Sequence, residues 1–226
     1  YPADVPGTSP LLPPGSGAMF KSLWDSHSRM DDYDKRLGIE QQVVLPQFSG
    51  WWSYLIEPQL ACRMARSHNQ ALRRLMTEYP GKILGAALIP LQDILGSISE
   101  MEWAKENGFC SVVLDKVYPV KDHPYGESLG SRRELWPFFK RAEELSMPIY
   151  LHNVQHGHRI SNMPAFQRDG LYIFAPQEGQ MSLVSLITSG LLDEFSKLQF
   201  VFSEAGTAFI KPLVQWLDKV LDQPVV

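Results

Sequence analysis

Residues 147–160 read "MPIYLHNVQHGHRI" and hold three of the chain's six histidines, His152, His156 and His158, where an apolar run gives way to a polar loop. His152 closes the run, and a neutral imidazole at a strand end is a good ligand for zinc or manganese. The plain alternative is a hydrogen-bonded core histidine. The "HGH" at 156–158 has the spacing that puts two imidazoles on one face of a strand, but Gly157 between them favours a turn. His156, His158 and Arg159 therefore read as loop residues. Their functional reading is recognition of an anionic substrate, since arginine offers a bidentate fork to a carboxylate; the alternative is a solvated polar loop. The other candidate is Glu204 in "QFVFSEAG". A carboxylate at a strand end beside Phe202, Ala205 and Ala208 is placed for a raised pKa and general acid/base work, or else pairs with an arginine or caps the next helix.

The remaining candidates are weaker. His68 falls on a helical stripe between Ala65 and Leu72 and, with Asn69 beside it, reads as structural. Tyr118 and His123 belong to a polar loop, and His27 carries no pattern. Trp51 and Trp52 either wall an aromatic pocket or simply contribute to a core.

Five short β-branched or apolar runs carry these residues, each followed by a stretch with helical spacing. Strands are expected over residues 39–46, 83–91, 110–114, 148–151 and 199–203, and helices over 58–79, 94–107, 135–145, 180–189 and 209–221. Gly108 suits the position after a helix end. The start of the 135–145 helix has two solutions, a capping box from Ser131 to Glu134 or an onset near Leu135, because Pro137 must fall in the first turn. Between residue 152 and the 180–189 helix the pattern leaves a loop of about twenty-five residues, a length usually associated with function. No run reads as an antiparallel hairpin. Alternating βα units imply an α/β fold with a parallel sheet. A (β/α)₈ barrel needs about 250 residues and eight strands, so five strands mean either part of a barrel or an open sheet.

Composition narrows the function classes. The 226 residues are 44% hydrophobic and 20% charged, with a formal charge of −4. That suffices for one α/β domain or a large piece of one. No basic stripe exists to neutralise a row of phosphates or an anionic membrane, so neither nucleic acid nor membrane is expected as a partner. Cys62 and Cys110 form no C-x-x-C motif, which argues against a thiolate metal site or a disulfide framework and fits a cytoplasmic protein. "ILGAALIPL" is about half the roughly 20 residues of a membrane-spanning helix, and no signal peptide is evident. The first nineteen residues hold five prolines and three glycines, so residues 1–37 read as a Pro/Gly-rich N-terminal segment ahead of a domain over 38–226.

Four phrases, "RLGIEQQVVLPQ", "MARSHNQALRRLMTEYPGKILGAALIPLQD", "LWPFFKRAEELSMPIYLHN" and "SGLLDEFSKLQFVFSEAGTAFIKPLVQWLD", cover roughly residues 30–221. In order and spacing they resemble the amidohydrolase-related TIM-barrel family typified by aminocarboxymuconate-semialdehyde decarboxylase and γ-resorcylate decarboxylase. The resemblance implies a (β/α)₈ barrel of which this chain shows strands 2 to 6. It also implies a divalent metal, held by a strand 1 H-x-H or E-x-H pair, a histidine ending strand 5 and an aspartate ending strand 8. His152 takes the strand 5 ligand position. Glu204 takes the strand 6 acid/base position, where many relatives carry "SHGGG". The strand 1 pair and the strand 8 aspartate have no counterpart in the sequence, so zinc or manganese is expected only if those ligands lie outside this chain.

The resulting expectation is a cytoplasmic, metal-dependent enzyme that hydrolyses, or decarboxylates without oxidation, a small carboxylate-bearing substrate, with aromatic acids in range and a homodimer among the assemblies. The alternative is a non-catalytic barrel or incomplete paralogue that has lost its metal. An open-sheet cofactor binder is weaker, because no G-x-G-x-x-G follows any strand. The enzyme reading requires the side chains of His152 and Glu204 to open to one cavity at the C-terminal end of a parallel sheet.

Overall fold

Helix α1, Pro58–Glu78, buries Ala61, Ala65, Asn69 and Leu72, the single stripe that its spacing predicts. Proline suits a first turn, where no intrahelical donor is needed, and the Glu57 carboxylate accepts from the Leu60 N–H at 2.8 Å. Helix α2, Ile94–Glu106, is capped by Asp93, whose carboxylate accepts from the Gly96 N–H at 3.0 Å. It ends as the sequence predicts: Gly108 adopts φ +81°, its N–H reaches Lys105 O, and the Phe109 N–H reaches Ala104 O. These two bonds satisfy carbonyls that the helix leaves open. The computed structural model describes residues 25–46, 57–115, 117–120, 123–152 and 169–221.

The main sheet has strands β1 (Gln42–Val44), β2 (Ile83–Leu88), β3 (Ser111–Asp115), β6 (Ile149–His152) and β7 (Phe200–Phe202), in the order β1-β2-β3-β6-β7. The pairs β2–β3, β3–β6 and β6–β7 are parallel, with Leu88 opposite Val113, Leu114 opposite Leu151 and Ile149 opposite Phe200. These are the five strands expected: β1, β2 and β7 are shorter than their apolar runs, and β3 and β6 keep the expected length but lie one residue later. The fold is the incomplete (β/α)₈ type. Helices α3 (Trp136–Glu144), α4 (Asp169–Thr188), α5 (Leu191–Glu194) and α6 (Ile210–Leu221) complete the described order. Among the described residues no helix is long and apolar enough to cross a membrane.

Two expectations are corrected and one open choice is settled. Residues 117–128 form an antiparallel hairpin of β4 (Val117–Val120) and β5 (His123–Ser128), with Val117 opposite Ser128 and Val120 opposite His123. Pro119 and Pro124 disguise it; in a two-stranded ribbon, proline can sit where no ladder donor is required. Helix α4 starts at Asp169 rather than 180, so the connection after β6 is shorter than expected. Pro176, Gly170 and Gly179 hide its first half, although an interior proline removes only one helical bond and kinks rather than forbids the helix. Helix α3 begins at Trp136, after a 3₁₀ turn at Arg133–Leu135, with Pro137 in its first turn. The later of the two onsets holds, and the Ser131–Glu134 spacing does not start the helix.

The chain divides into two compact units, Tyr1–Val43 with Arg74–Leu84 and Val44–Arg73 with Gly85–Val226. In the first, a π-helix at Ser28–Asp34 runs into a helical turn at Lys35–Leu37 that Gly38 ends at φ +69°. Gln42 is its polar hub: the side chain accepts from Arg29 Nε at 2.6 Å and donates to the Asp34 carboxylate, while its N–H reaches Lys82 O at 2.9 Å. In the second, Leu114, Leu135, Phe138, Phe139, Ile149 and Leu151 are fully buried, as expected for parallel strands covered on both faces. Asn69 staples α1 to the end of β2. Its amide accepts from the Leu88 N–H at 2.8 Å, and donates to Leu88 O at 2.9 Å and to buried Glu100 at 2.8 Å. Arg66 closes the set, its Nε 2.7 Å from the Glu100 carboxylate and its guanidinium over the Trp103 ring.

Candidate active site

His152 is the last residue of β6 and is only 6% exposed. Its Nδ1 is buried and has no hydrogen-bond partner among the described residues. An imidazole nitrogen taken from water and left without a partner is costly, by roughly 1–3 kcal/mol, so the atom suits a partner such as water, a metal or a substrate group.

Glu204 lies two residues beyond β7. Because Leu151 is opposite Phe202 and the Ser203 N–H donates to Leu151 O at 3.1 Å, the pairing runs one residue past the strand. His152 and Glu204 thus stand at the C-terminal edge of two adjacent parallel strands, the edge where barrel and doubly wound enzymes hold their chemistry. Glu204 has φ +57°, the left-handed region that non-glycine side chains avoid and that clusters at functional sites. Its side chain is exposed; Ala205 beside it is buried and Ala208 is exposed, so these alanines do not enclose the carboxylate in the apolar pocket that its neighbours suggested.

Asp115 is a third residue at this edge. It ends β3 and is opposite His152 in the β3–β6 register. Sequence reasoning ended that strand at residue 114 and passed over it. The available signal was an acidic residue directly after an apolar parallel strand.

The other sequence candidates divide. His156, His158 and Arg159, like Trp51 and Trp52, lie outside the described residues. Tyr118 and His123 belong to the β4–β5 hairpin. His27 forms an exposed contact with Asp31 at 3.6 Å. On α1, His68 Nε2 is buried without a partner among the described residues, and burial pushes this imidazole below its ordinary pKa. As a metal donor, His152 fits in chemistry and burial. Among the described residues, however, no group of three or more His, Cys, Asp or Glu side chains is gathered to hold an ion.

Comparison with known proteins matches the chain over residues 55–221 to the amidohydrolase family model. It is 22% identical over 201 residues to 2-amino-3-carboxymuconate-6-semialdehyde decarboxylase of Dictyostelium discoideum, covering 85% of this chain and 52% of that protein. It is 26% identical to γ-resorcylate decarboxylase of Rhizobium sp. (strain MTP-10005), covering 88% and 62% respectively. The chain thus spans a little over half the length of these curated relatives. Among solved structures, the dihydroxybenzoic acid decarboxylase of Polaromonas sp. JS666, with bound manganese and the inhibitor 2-nitroresorcinol, superposes with TM-score 0.68 at 22% identity, covering 84% of this chain and 58% of that one. The family model matches most of the chain, from residue 55 to residue 221: the chain belongs to the amidohydrolase family.

Proposed function

We propose that this chain supplies the strand 5 and strand 6 part of a metal-dependent active site that decarboxylates a small, carboxylate-bearing aromatic molecule. The observation that carries the reading is the buried Nδ1 of His152, without a partner among the described residues, on a strand paired with the one that leads to Glu204. The relatives above, named as decarboxylases, supply the reaction class. His152 would hold a divalent metal, zinc or manganese, through an imidazole nitrogen, with the remaining ligands drawn from outside the described residues. When bound, the metal orients the substrate carboxylate and offsets its charge. Glu204 gives a proton to the ring carbon as carbon dioxide leaves, and its exposure lets solvent replace that proton. His156, His158 and Arg159 are assigned to the substrate's anionic groups. Hydrolysis with Glu204 as base uses the same residues. Free Cys62 and Cys110 support a cytoplasmic setting.

Metal content and turnover of 2,6-dihydroxybenzoate, measured on dialysed wild type and His152→Ala, test the proposal. In a polypeptide that also carries the strand 1 and strand 8 ligands, the expected result is bound metal and carbon dioxide release, with both lost in the variant; residues 1–226 alone are expected to bind metal weakly or not at all. Equal metal in the two would remove His152 from the site. If that extended polypeptide is metal-free and inactive, a second reading takes over, a barrel that keeps the scaffold without catalysis.

A further inference from the structure

We propose that Gly179, midway along α4, is the positioning residue for Glu204. The inference rests on the reading of Glu204 as the proton-handling group. Ala205 is 1% exposed and is flanked by two left-handed residues, Glu204 at φ +57° and Gly206 at φ +67°. This turn drives the Ala205 methyl into the protein, and α4 receives it. A Cβ at Gly179 would lie 2.7 Å from Ala205 Cβ, 3.5 Å from Phe209 Cζ and 3.7 Å from Ala205 Cα. Carbon atoms do not approach so closely without something moving.

Gly179 is not among the glycines with positive φ, so space rather than backbone freedom explains a residue that weakens a helix interior. Nor can α4 simply retreat. A Cβ at Gly130, in the 3₁₀ turn Leu129–Ser131, would lie 2.4 Å from Ser185 O and 2.7 Å from Ser189 Oγ, so the far end of α4 is already seated on backbone. The seat at Gly179 therefore fixes Ala205, and Ala205 fixes the disfavoured backbone of Glu204 at the strand edge. A methyl group at 179 must displace the turn, and Glu204 moves with it.

The test is a set of variants: Gly179→Ala, Ala205→Gly, both together, and Gly179→Ala on Glu204→Gln. Displacing a reacting group by about 1 Å can lower turnover on the order of a hundredfold. Gly179→Ala is expected to lower kcat at least tenfold, with KM and metal content unchanged. The double variant, which removes the methyl group that would be struck, is expected to return to within about twofold of Ala205→Gly. On Glu204→Gln, Gly179→Ala should have no further effect. Full activity in Gly179→Ala, a loss that Ala205→Gly does not rescue, or the same loss without the Glu204 carboxylate would each overturn the proposal. A second readout does not need turnover: the carboxyl carbon resonance of Glu204 should shift in Gly179→Ala and return in the double variant. If it does so in a protein that decarboxylates nothing, the positioning role stands and the proposed reaction falls. An unmoved resonance ends the positioning role whatever the activity.

Discussion

Glu204 and Ser146 are the non-glycine residues that hold positive φ among those described, at +57° and +49°. Ser146 sits just past α3, where its N–H reaches Glu143 O and the Met147 N–H reaches Ala142 O, the position that usually takes glycine. Ser146→Gly should stabilise the protein by roughly 0.5–1 kcal/mol, read as a higher urea midpoint. At Glu204 the informative comparison is Gly against Ala. Both remove the carboxylate, so a Gly variant more stable by about 1 kcal/mol would report the left-handed backbone alone; equal stabilities would mean that the turn adapts to either residue. His68 gives a pH signature. Burial holds its folded pKa below the ordinary value, so the native state stays neutral while the unfolded chain takes up a proton near pH 6.5. Its effect on stability is absent above that pH and becomes a loss as the pH falls from about 6.5 toward the folded value. His68→Leu should flatten this decline, and an unchanged pH dependence of the urea midpoint would exclude the assignment. At this scale the sequence revealed where His152 and Glu204 fall, because each ends an apolar run. It did not reveal the bare Nδ1 or the left-handed backbone, which depend on neighbours distant in the chain.

Among the elements, the Asn69 staple makes the sharpest claim. Truncating Asn69 to alanine leaves the Leu88 N–H and C=O and one oxygen of the Glu100 carboxylate without their Asn69 partner in a buried site, and should destabilise the protein by about 3 kcal/mol. Asn69→Asp should fare no better, because it can still accept from the Leu88 N–H but sets a second carboxylate beside Glu100 and Leu88 O. Urea unfolding of both variants would check this; a loss below about 1 kcal/mol would place the staple among ordinary solvent-exposed bonds. Helices α1 and α2 were legible almost to the residue, since one has a single buried stripe and the other a capping aspartate and a terminal glycine. The first half of α4 and the β4–β5 hairpin were not. Both carry prolines, whose cost depends on whether the missing N–H had a partner to lose, and that is a property of the surroundings.

Taken whole, the described residues hold five main-sheet strands of an eight-stranded architecture, and those five were readable because each βα unit repeats the same change of hydrophobic period. One face is conspicuously uncovered. On α6, Ile210, Val214, Val220 and Trp216 are exposed, the last by 64%, and Val201 on β7 is exposed as well. An apolar surface of this kind promotes association. The 226-residue polypeptide should therefore sediment above its 25.6 kDa mass, and Val214→Glu with Trp216→Glu should shift it toward the monomer. A monomeric wild type at micromolar concentration would count against this. The register that pairs β3 with β6 also sets a timetable on the ribosome. Val112 waits for Ile149, and 149 − 112 gives 37 residues. At about 5–20 residues per second, synthesis takes roughly two to seven seconds to supply the partner. For that interval the nascent chain carries a bare strand edge beside Val112 and Val113, the kind of surface that attracts chaperones or neighbouring chains.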